Sequence, residues 1–450
     1  MQFQVTPELI EKIQHLASEQ LDQELHRYLK DLHHADIAEI IAAIPPVDAA
    51  YIIRLLDSEK TAEILMELYE DDREQILLQL SPQEIAGELD MMDTDDAADF
   101  LAELPDEIKG EVIDNIEDDE HAKDLQELLR YDEDSAGGLM AKELIRVRED
   151  WPVSECIDEI RRQAENVIRV HSIYVVDKDD KLIGRLSVKD LLTVKSQTKI
   201  AEIYIPRVDY VNVHTDGDEV ARVMQKYDLE ALPVVDEIGK LVGRITIDDI
   251  VDFIKEEAEK DYQLAAGISQ DVDTNDSFIK QTRARLPWLL LALVGSFVAV
   301  LVIGEFDTAL ERYSRLFFFT PLIAAMAGNV GVQSSAIIVQ SIANNTLSDS
   351  LSTRLFKELL LSFSSGLLLS LLLLFATHFI LNYPISLAIT IALSLIIVMI
   401  IASLVGTFVP ITLHRMGIDP ALATGPFITT SNDIFGIFIF FSIARVILEF

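Results

Sequence analysis

The sequence is poor in cysteine, because Cys156 is its only thiol among 450 residues. A lone cysteine excludes an intrachain disulfide framework and is compatible with a reducing cytosol. No His and Cys set with metal-ligand spacing is present, and neither is a nucleophile–base constellation or a P-loop, so an enzyme is the least favoured class. The opening MQFQVTPELIEKIQ lacks the basic and then apolar pattern of a secretory signal. We therefore expect residues 1–280 to stay in the cytoplasm.

Basic residues are also scarce, with 37 Lys and Arg against 76 Asp and Glu, which gives a net charge of −39. From residue 281 onward eight basic and eight acidic residues balance, so the whole imbalance lies in residues 1–280. Such an acidic surface repels nucleic acid and anionic lipid and attracts cations, and we expect no nucleic-acid partner. A long acidic segment ahead of a neutral apolar one predicts a soluble part joined to a membrane part.

Five apolar stretches are long enough to cross a bilayer, which takes about 20 helical residues. They cover residues 287–304, 316–342, 358–380, 386–409 and 421–448. Six basic residues flank these stretches on the side of the soluble part and two on the opposite side, which predicts that the N-terminus lies inside and the C-terminus outside. We expect a five-helix transmembrane domain over residues 281–450.

Residues 36–128 contain a repeat with a period of 12. The first apolar series is Ile41, Ile53, Leu65, Leu77, Leu89, Leu101, Ile113 and Leu125. A second apolar series, from Ile44 to Leu128, follows each of these positions by three residues. Because so short a helix is not stable alone, each must bury its face against its neighbours. We predict a stack of about eight short helices, which makes residues 1–130 an all-α superhelical N-domain.

A second repeat has an offset of 59 residues, with HSIYVVDKDDKLIGRLSVKDLLTV (171–194) lying over EALPVVDEIGKLVGRITIDDIVDF (230–253). Each copy reads strand, turn, strand and amphipathic helix. The pair resembles the tandem CBS module, an α/β fold in which two copies form one disc. We expect the first copy within residues 131–199 and the second within 200–253.

Both copies end in a hydroxyl followed three residues later by an acid, at Ser187 and Asp190 and at Thr246 and Asp249. This spacing fits a capping box that starts a helix. The CBS resemblance implies a second interpretation, in which the same side chains hold the phosphate and ribose of an adenine nucleotide such as ATP. Both interpretations remain open.

Acidic residues are dense between the tandem pair and the first apolar span, where we expect a connecting segment, 254–280, that continues a helix starting near residue 248. Acids at helical spacing repel one another unless cations intervene. A second acidic cluster lies on the rim of the helical stack. The candidate residues are Asp93, Asp95, Asp96, Asp99, Asp249, Asp252, Glu256, Glu257 and Asp261. One hypothesis is that divalent cations join these faces, and the alternative is an ordinary solvated surface.

One carboxylate, Asp433, stands in the middle of the last apolar span. A charge at bilayer depth costs at least about 2.5–3.5 kcal/mol and is usually functional. Gly425 and Pro426 are expected to interrupt the helix before it, and Thr429 shares its face. Span two contains a second polar stretch, with Asn329 among small residues, which suits either helix packing or a partly hydrated cation. We interpret Asp433 as a cation-binding acid in a pore, paired across a two-fold axis in a homodimer.

The whole chain resembles the MgtE magnesium channel family. The motifs that carry the resemblance are SAGGLM (135–140), GN-x-G-x-QS in span two, and the segment from Asp419 to Asp433. This sequence departs from the family pattern at Ala327, Val332 and Gly425, which predicts looser selectivity among divalent cations.

The resemblance implies a homodimeric channel for Mg²⁺ uptake across the bacterial plasma membrane. Hydrated Mg²⁺ would be held at Asp433 and the carbonyl of Thr429, with Asn329 beside them. Mg²⁺ bound among the N-domain, the CBS pair and the connecting helix, including Gly137, would close the gate, and ATP at the CBS pair would strengthen closure. Two other classes stay open: a cation-coupled secondary transporter with Asp433 as proton relay, and a membrane-anchored sensor that moves no ion.

Overall fold

The computed structural model describes residues 5–164, 170, 172–270, 272, 274, 276–344, 346–347, 350–423 and 425–449, without the side chains of Glu59, Glu70, Asp71, Thr308, Ala309, Leu310 and Ala423. The chain forms two compact units, Met1–Lys255 and Glu256–Phe450. Each unit is described by itself below.

Helices alone build the first half of the first unit. Two helices, α1 (Pro7–Ser18) and α2 (Asp22–Leu29), precede the repeat. The repeat itself forms α3 (His34–Ala42), α4 (Pro46–Leu55), α5 (Ser58–Met66), α6 (Glu70–Leu77), α7 (Pro82–Leu89), α8 (Thr94–Glu103), α9 (Asp106–Asn115) and α10 (Asp119–Leu128). Their starts follow the predicted spacing, and the prediction of a stack of short helices is confirmed.

The repeated apolar positions form the core of this stack. All members of the first series except Ile113 are at most 1% exposed. Helices pack on the next but one along the chain, as α3 does on α5 and α7 does on α9. Prolines at the start of α4 and α7 keep each turn short, because proline fits the first turn of a helix but not its interior. Burial of each face against two neighbours stabilises helices that are too short to persist alone.

Two small sheets with flanking helices follow. The elements are β1 (Ile145–Arg148), α11 (Val153–Gln163), β2 (Ile173–Val176), β3 (Leu182–Leu186), α12 (Val188–Thr193), β4 (Ile205–Pro206), β5 (Val211–Asn212), α13 (Gly217–Tyr227), β6 (Ala231–Val235), β7 (Leu241–Thr246) and α14 (Ile247–Ala266). The sheet orders are β1-β2-β3-β4 and β5-β6-β7.

The strand registers confirm the predicted repeat. Ile173 pairs with Leu186 in the first copy, and Leu232 pairs with Ile245 in the second, which is the same pairing moved by the sequence offset. The copies meet at their turns, where Lys181 bridges Lys240. They differ at the last helix, because α12 ends after six residues whereas α14 runs for 20 without a break into the predicted connecting segment.

The predicted capping box is wrong for the first copy. The Ser187 side chain makes no capping hydrogen bond at the start of α12. In the second copy Asp249 accepts hydrogen bonds from both the backbone N–H and the hydroxyl of Thr246, at 3.0 and 2.5 Å. Asp249 therefore accepts from the backbone N–H of Thr246, as a capping box predicts. The Thr246 hydroxyl, however, donates to Asp249 instead of accepting from a backbone N–H.

Within the described residues, five helices are long and apolar enough to cross a membrane, as predicted. They are α15 (Phe278–Gly304), α17 (Thr320–Ala343), α18 (Leu351–Phe375), α19 (Ile385–Arg415) and α20 (Gly425–Leu448), with a short α16 (Asp307–Arg312) after α15. Helix α19 is the most buried of the five, and α17, α18 and α20 all pack against it. Helix α15 packs against α20.

The predicted interruption of the last span at Gly425 and Pro426 is wrong, because α20 begins there. Proline is compatible with the first turn, where its missing N–H has no helical acceptor. Gly425 has φ +40°, which L side chains rarely adopt, so the glycine allows the chain to turn into the helix. Asp433 consequently lies in a continuous helix, about 12 Å along its axis from the start.

Candidate cation sites

Asp433 lies half-buried on α20. Asp433 packs against Gly328 of α17. A β-carbon built at Gly328 would lie 3.5 Å from Asp433 Oδ1 and 3.1 Å from Thr429 Cγ2. The Thr429 hydroxyl donates to the Gly425 carbonyl at 2.9 Å and is not directed at the acid. In the part of the chain that the structure describes, the Asp433 carboxylate has no hydrogen-bond or ion-pair partner.

Asn432 fixes how α20 sits on α17, and the sequence analysis did not single it out. It is 1% exposed, and its Nδ2 donates to the Ala327 carbonyl at 3.4 Å. A β-carbon on Gly331 would come within 1.8 Å of this nitrogen, so the amide fills the space that the glycine leaves. Asn432 therefore sets the rotation of α20 and, one residue on, the direction of Asp433.

The amide side chains of span two face outward. Asn329 and Gln333 lie one helical turn apart and are both exposed. Neither side chain forms a hydrogen bond within the described residues. Polar groups at bilayer depth are expensive unless they face water or another protein surface. This outward polar stripe starts beside Gly328, the residue against which Asp433 packs.

A second carboxylate in the membrane unit has a different environment. Glu358 on α18 is 6% exposed, and the Ser334 hydroxyl of α17 donates to its Oε1 at 2.6 Å. The sequence placed Glu358 at the edge of span three, and only the contact with α17 shows that it is buried. The hydrogen bond of Glu358 links α18 to α17, whereas the Asp433 carboxylate forms no hydrogen bond to another helix among the described residues.

The end of α14 contacts the start of α20 within the second unit. A β-carbon on Gly425 would lie 2.1 Å from the Ala265 carbonyl oxygen, and one on Gly267 would lie 2.5 Å from Pro426 Cγ. Both distances are shorter than a normal van der Waals contact, so a side chain does not fit at Gly425 or at Gly267 unless the chain moves. Movement of the last turn of α14 would therefore act directly on the first turn of the helix that carries Asp433.

In the first unit, the start of α8 and the start of α14 bring the predicted rim acids together. Asp95 is 8% exposed, and Asp93 and Asp96 are half-buried. Burial, reinforced by Glu143, raises the pKa of Asp93 to about 6. Burial, together with Asp249 and Asp93, raises the pKa of Asp96 to about 8. Burial also raises the pKa of Asp95 and of Asp249. Burial and mutual repulsion thus disfavour the ionised form of these carboxyl groups.

One arginine partly compensates this charge, and the sequence analysis did not single it out. Arg244 on β7 is 5% exposed, and its Nη2 donates to Asp93 Oδ2 at 3.4 Å, while its Nε donates to the Glu143 carbonyl. Glu143 Oε2 accepts from the backbone N–H and the hydroxyl of Thr94, at 3.2 and 2.9 Å. The bond from Arg244 joins the helical stack to the second CBS copy, and the bonds to Glu143 join it to the segment before β1. The only sequence signal was that Arg244 repeats Arg185 of the first copy, which is exposed.

The remaining predicted ligands are more dispersed. Asp99 and Asp252 are exposed in the first unit, and Gly137 is buried there with its N–H donating to the Val213 carbonyl at 2.8 Å. In the second unit Glu256 and Asp261 are exposed, and Glu257 forms an ion pair with Lys260 at 2.7 Å. Among the described residues, no three His, Cys, Asp or Glu side chains are arranged to hold a bare metal ion.

The two nucleotide candidates differ in availability. Asp249 already accepts two hydrogen bonds from Thr246 and lies within the acidic cluster, which disfavours a phosphate. Ser187 and Asp190 are half-buried and stand outside that cluster. The first copy is therefore the better candidate for an anionic ligand.

Comparison with known proteins agrees with this architecture. A family model described as "Divalent cation transporter" matches residues 320–443, the MgtE intracellular N domain matches 32–134, and CBS domains match 136–196 and 200–256. The magnesium transporter MgtE of Thermus thermophilus is 35% identical over 72% of this chain and 73% of its own length. The magnesium transporter MgtE of Bacillus subtilis is 30% identical over 73% of each.

A solved structure is also similar. The cytosolic domain of the Mg²⁺ channel MgtE in complex with ATP covers 54% of this chain and 100% of its own, with 35% identity and a TM-score of 0.51. Five apolar helices and a transporter family identify a membrane protein. The family resemblance and the fold class predicted from the sequence are both confirmed. The chain belongs to the MgtE family of divalent cation transporters.

Proposed function

We propose that this protein is a channel that carries Mg²⁺ across the plasma membrane, with the N-terminus in the cytoplasm and the C-terminus outside. The observation that carries the proposal is Asp433, a half-buried carboxylate in a membrane helix that has no partner among the described residues. An acid at this depth is stabilised by a cation from outside the chain. The relatives named as magnesium transporters support Mg²⁺ as that cation.

The pore holds the ion in hydrated form. Mg²⁺ loses its water reluctantly and usually keeps several waters while contacting one or two carboxylates. Asp433 supplies one carboxylate per chain, with the carbonyl of Thr429 and the amide of Asn329 as further oxygen donors to the bound waters. The scarcity of converging ligands in the described residues fits an ion held through water rather than stripped of it.

A homodimer completes this site. One carboxylate is too little to hold a divalent ion, and a two-fold axis beside α17 and α20 would supply a second. The outward polar stripe of Asn329 and Gln333 supports this arrangement, because it would face the pore or the second copy instead of acyl chains.

Cytosolic Mg²⁺ closes the channel by binding to the acidic surfaces of the soluble part. The cluster of Asp93, Asp95, Asp96 and Asp249 offers carboxylate oxygens, which hard divalent cations prefer. Burial, and then repulsion between the acids, raises their pKa values, and a bound cation would reduce this penalty on the charged form. Asp99, Gly137, Asp252, Glu256, Glu257 and Asp261 are the further candidate ligands. The contact between Ala265 and Gly425 offers a mechanical route from α14 to the pore helix.

ATP binds at the CBS pair, on the side of Ser187 and Asp190, and strengthens closure. The related cytosolic domain in complex with ATP supports this assignment. In the second copy the bond between Thr246 and Asp249 leaves those side chains less available. The nucleotide would act as a ligand that binds one conformation in preference.

The test is flux of Mg²⁺ into liposomes that contain only the purified chain. Asp433→Asn keeps the volume and removes the charge, so we expect divalent flux to fall at least about 100-fold, the loss typical of removing an essential charge. Glu449→Gln, an exposed acid at the end of the same helix, is the matched control and should behave as wild type. Unchanged flux through Asp433→Asn would contradict the pore assignment.

The same assay separates a channel from a coupled transporter. Collapse of the proton and sodium gradients with ionophores should leave Mg²⁺ flux unchanged for a channel. Loss of flux under these conditions would instead identify a secondary transporter, and absence of flux in the wild type would identify a sensor.

A further inference from the structure

An apolar groove of about 310 Å³ lies between α18 and α19. Its lining residues are Leu355, Ile401, Leu404, Val405, Phe408 and Val409. Helix α18 is among the least buried of the five long helices, so the groove opens on the outer side of this unit. Its volume is at the lower end of the range of small-molecule sites and suits a flexible hydrocarbon chain.

Two arginines stand at the end of this groove. Arg354 directly precedes Leu355, and its Nε is buried without a hydrogen-bond partner. Arg415 follows Ile401 and Phe408 at intervals of seven residues on α19, so it lies on the same helix face, about 9 Å beyond Val409 along the axis. Within the described residues neither guanidinium forms a hydrogen bond or an ion pair.

The acid nearest to Arg354 along α18 does not neutralise it. Glu358 is one helical turn from Arg354, but its carboxylate accepts from Ser334 and forms no ion pair with the arginine. An unpaired buried guanidinium nitrogen requires an acceptor that the described residues do not supply. The acidic surface that repels anionic lipid belongs to residues 1–280, whereas the membrane part is neutral.

We propose that this groove binds an anionic phospholipid, with one acyl chain lying along α19 and the phosphate held by Arg354 and Arg415. Basic pockets between transmembrane helices are suited to anionic headgroups, because guanidinium and phosphate form bidentate hydrogen bonds. A second copy of this chain is the less suitable occupant, since the two arginines at the end of the groove favour an anion and the volume of the apolar part suits one acyl chain.

The experiment titrates the purified full chain, in detergent, with phosphatidylglycerol or with phosphatidylcholine of the same acyl chains, and counts retained lipids by native mass spectrometry. Wild type should retain phosphatidylglycerol in preference. The double variant Arg354→Gln/Arg415→Gln should bind phosphatidylglycerol about 30-fold more weakly, because each basic side chain near an anionic lipid contributes about fivefold, and should bind phosphatidylcholine as before. Arg445→Gln, an exposed arginine at the end of α20, is the control for charge and should match wild type.

The apolar part of the site has its own pair of variants. Leu404→Trp fills the groove and should lower retention of both lipids, whereas Leu371→Trp, at an exposed apolar position of α18 outside the groove, should not. Arg354→Lys/Arg415→Lys should keep the preference and thereby exclude misfolding as the cause of the loss.

Equal retention of the two lipids by wild type would overturn the proposal, and so would unchanged retention by the Gln double variant. If Leu404→Trp changes the ratio of dimer to monomer and leaves lipid retention unchanged, the occupant is a second copy and the proposal is wrong. None of these measurements depends on ion transport.

Discussion

The two units of this molecule bury their acidic side chains in opposite ways. In the first unit Asp93, Asp95 and Asp96 lie together with Asp249, and Arg244 offsets part of their charge. In the second unit Asp433 stands alone in an apolar helix, with no partner among the described residues. The first arrangement brings several carboxyl groups together, and the second is a single carboxyl group without a counter-ion among the described residues.

Under the proposed function, the difference corresponds to two ways in which a protein can depend on a cation. The acidic cluster contains an arginine, so under the proposed function a divalent cation would add to an existing compensation of charge. Asp433 has no internal partner among the described residues, so under the proposed function its cation would come from outside the chain. A regulatory site and a permeation site would differ in this way.

The largest effect should come from removing the arginine that offsets the cluster. Arg244→Gln leaves buried carboxylates uncompensated, which costs about 3–5 kcal/mol in the free energy of local unfolding. Hydrogen–deuterium exchange of the full chain should show lost protection around residues 93–99 and 241–250, recovered by millimolar Mg²⁺. Arg185→Gln, the exposed equivalent in the first copy, is the control.

Loss of protection to the same degree in Arg185→Gln would mean that the charge of the CBS pair as a whole matters. The comparison between a compensated cluster and a lone acid would then no longer hold.

The next effect tests the membrane side of the comparison. Gly406→Ala would place a β-carbon 2.3 Å from the Gly331 carbonyl oxygen, which is backbone and cannot rotate away. Helices α17 and α19 must then separate, at a cost of about 1–3 kcal/mol in the free energy of unfolding. We expect a lower thermal unfolding temperature in detergent and reduced flux. Gly366→Ala, whose β-carbon meets neighbours only at 3.5 Å and beyond, is the control.

Both substitutions gain about 1 kcal/mol of helix propensity, so Gly366→Ala should be neutral or slightly stabilising. If the two variants unfold at the same temperature, the close approach of α17 and α19 is not a constraint.

The smallest effect is the pH dependence of the cluster. The folded carboxyl groups have pKa values above those of an unfolded chain, at about 6 for Asp93 and about 8 for Asp96, so the folded state binds more protons. The protection of residues 93–99 should therefore fall as the pH rises, by about 2 kcal/mol between pH 5 and 6 after correction for intrinsic exchange. Saturating Mg²⁺ should flatten this profile. A profile that rises with pH would contradict the assigned burial.

The sequence predicted the parts of the fold that depend on periodicity. The series from Ile41 to Leu125 predicted the helix spacing, since each short helix presents the same residue to the core. The offset repeat predicted two equivalent strand–turn–strand units, and the observed pairs, Ile173 with Leu186 and Leu232 with Ile245, keep the same offset. Apolar length predicted the five long helices.

The sequence did not predict residues whose role depends on contact between distant elements. Arg244 looks like Arg185 until β7 packs beside α8, and Glu358 looks like a helix-end charge until α17 covers it. Asn432 gains its role only where Gly331 leaves space for it. Gly425 and Pro426 were interpreted as an interruption because their sequence signals alone do not distinguish a break within a helix from its start.

The most direct test of the central claim is anomalous diffraction from crystals of the full chain grown with Mn²⁺ in place of Mg²⁺. A hydrated cation held through its water should give a peak about 4–5 Å from the Asp433 carboxylate oxygens, the sum of a metal–water and a water–carboxylate distance. The peak should vanish in Asp433→Asn while any peak at Asp93 and Asp249 remains. A wild-type anomalous map that shows a peak at Asp93 and Asp249 but none near Asp433 would contradict the account.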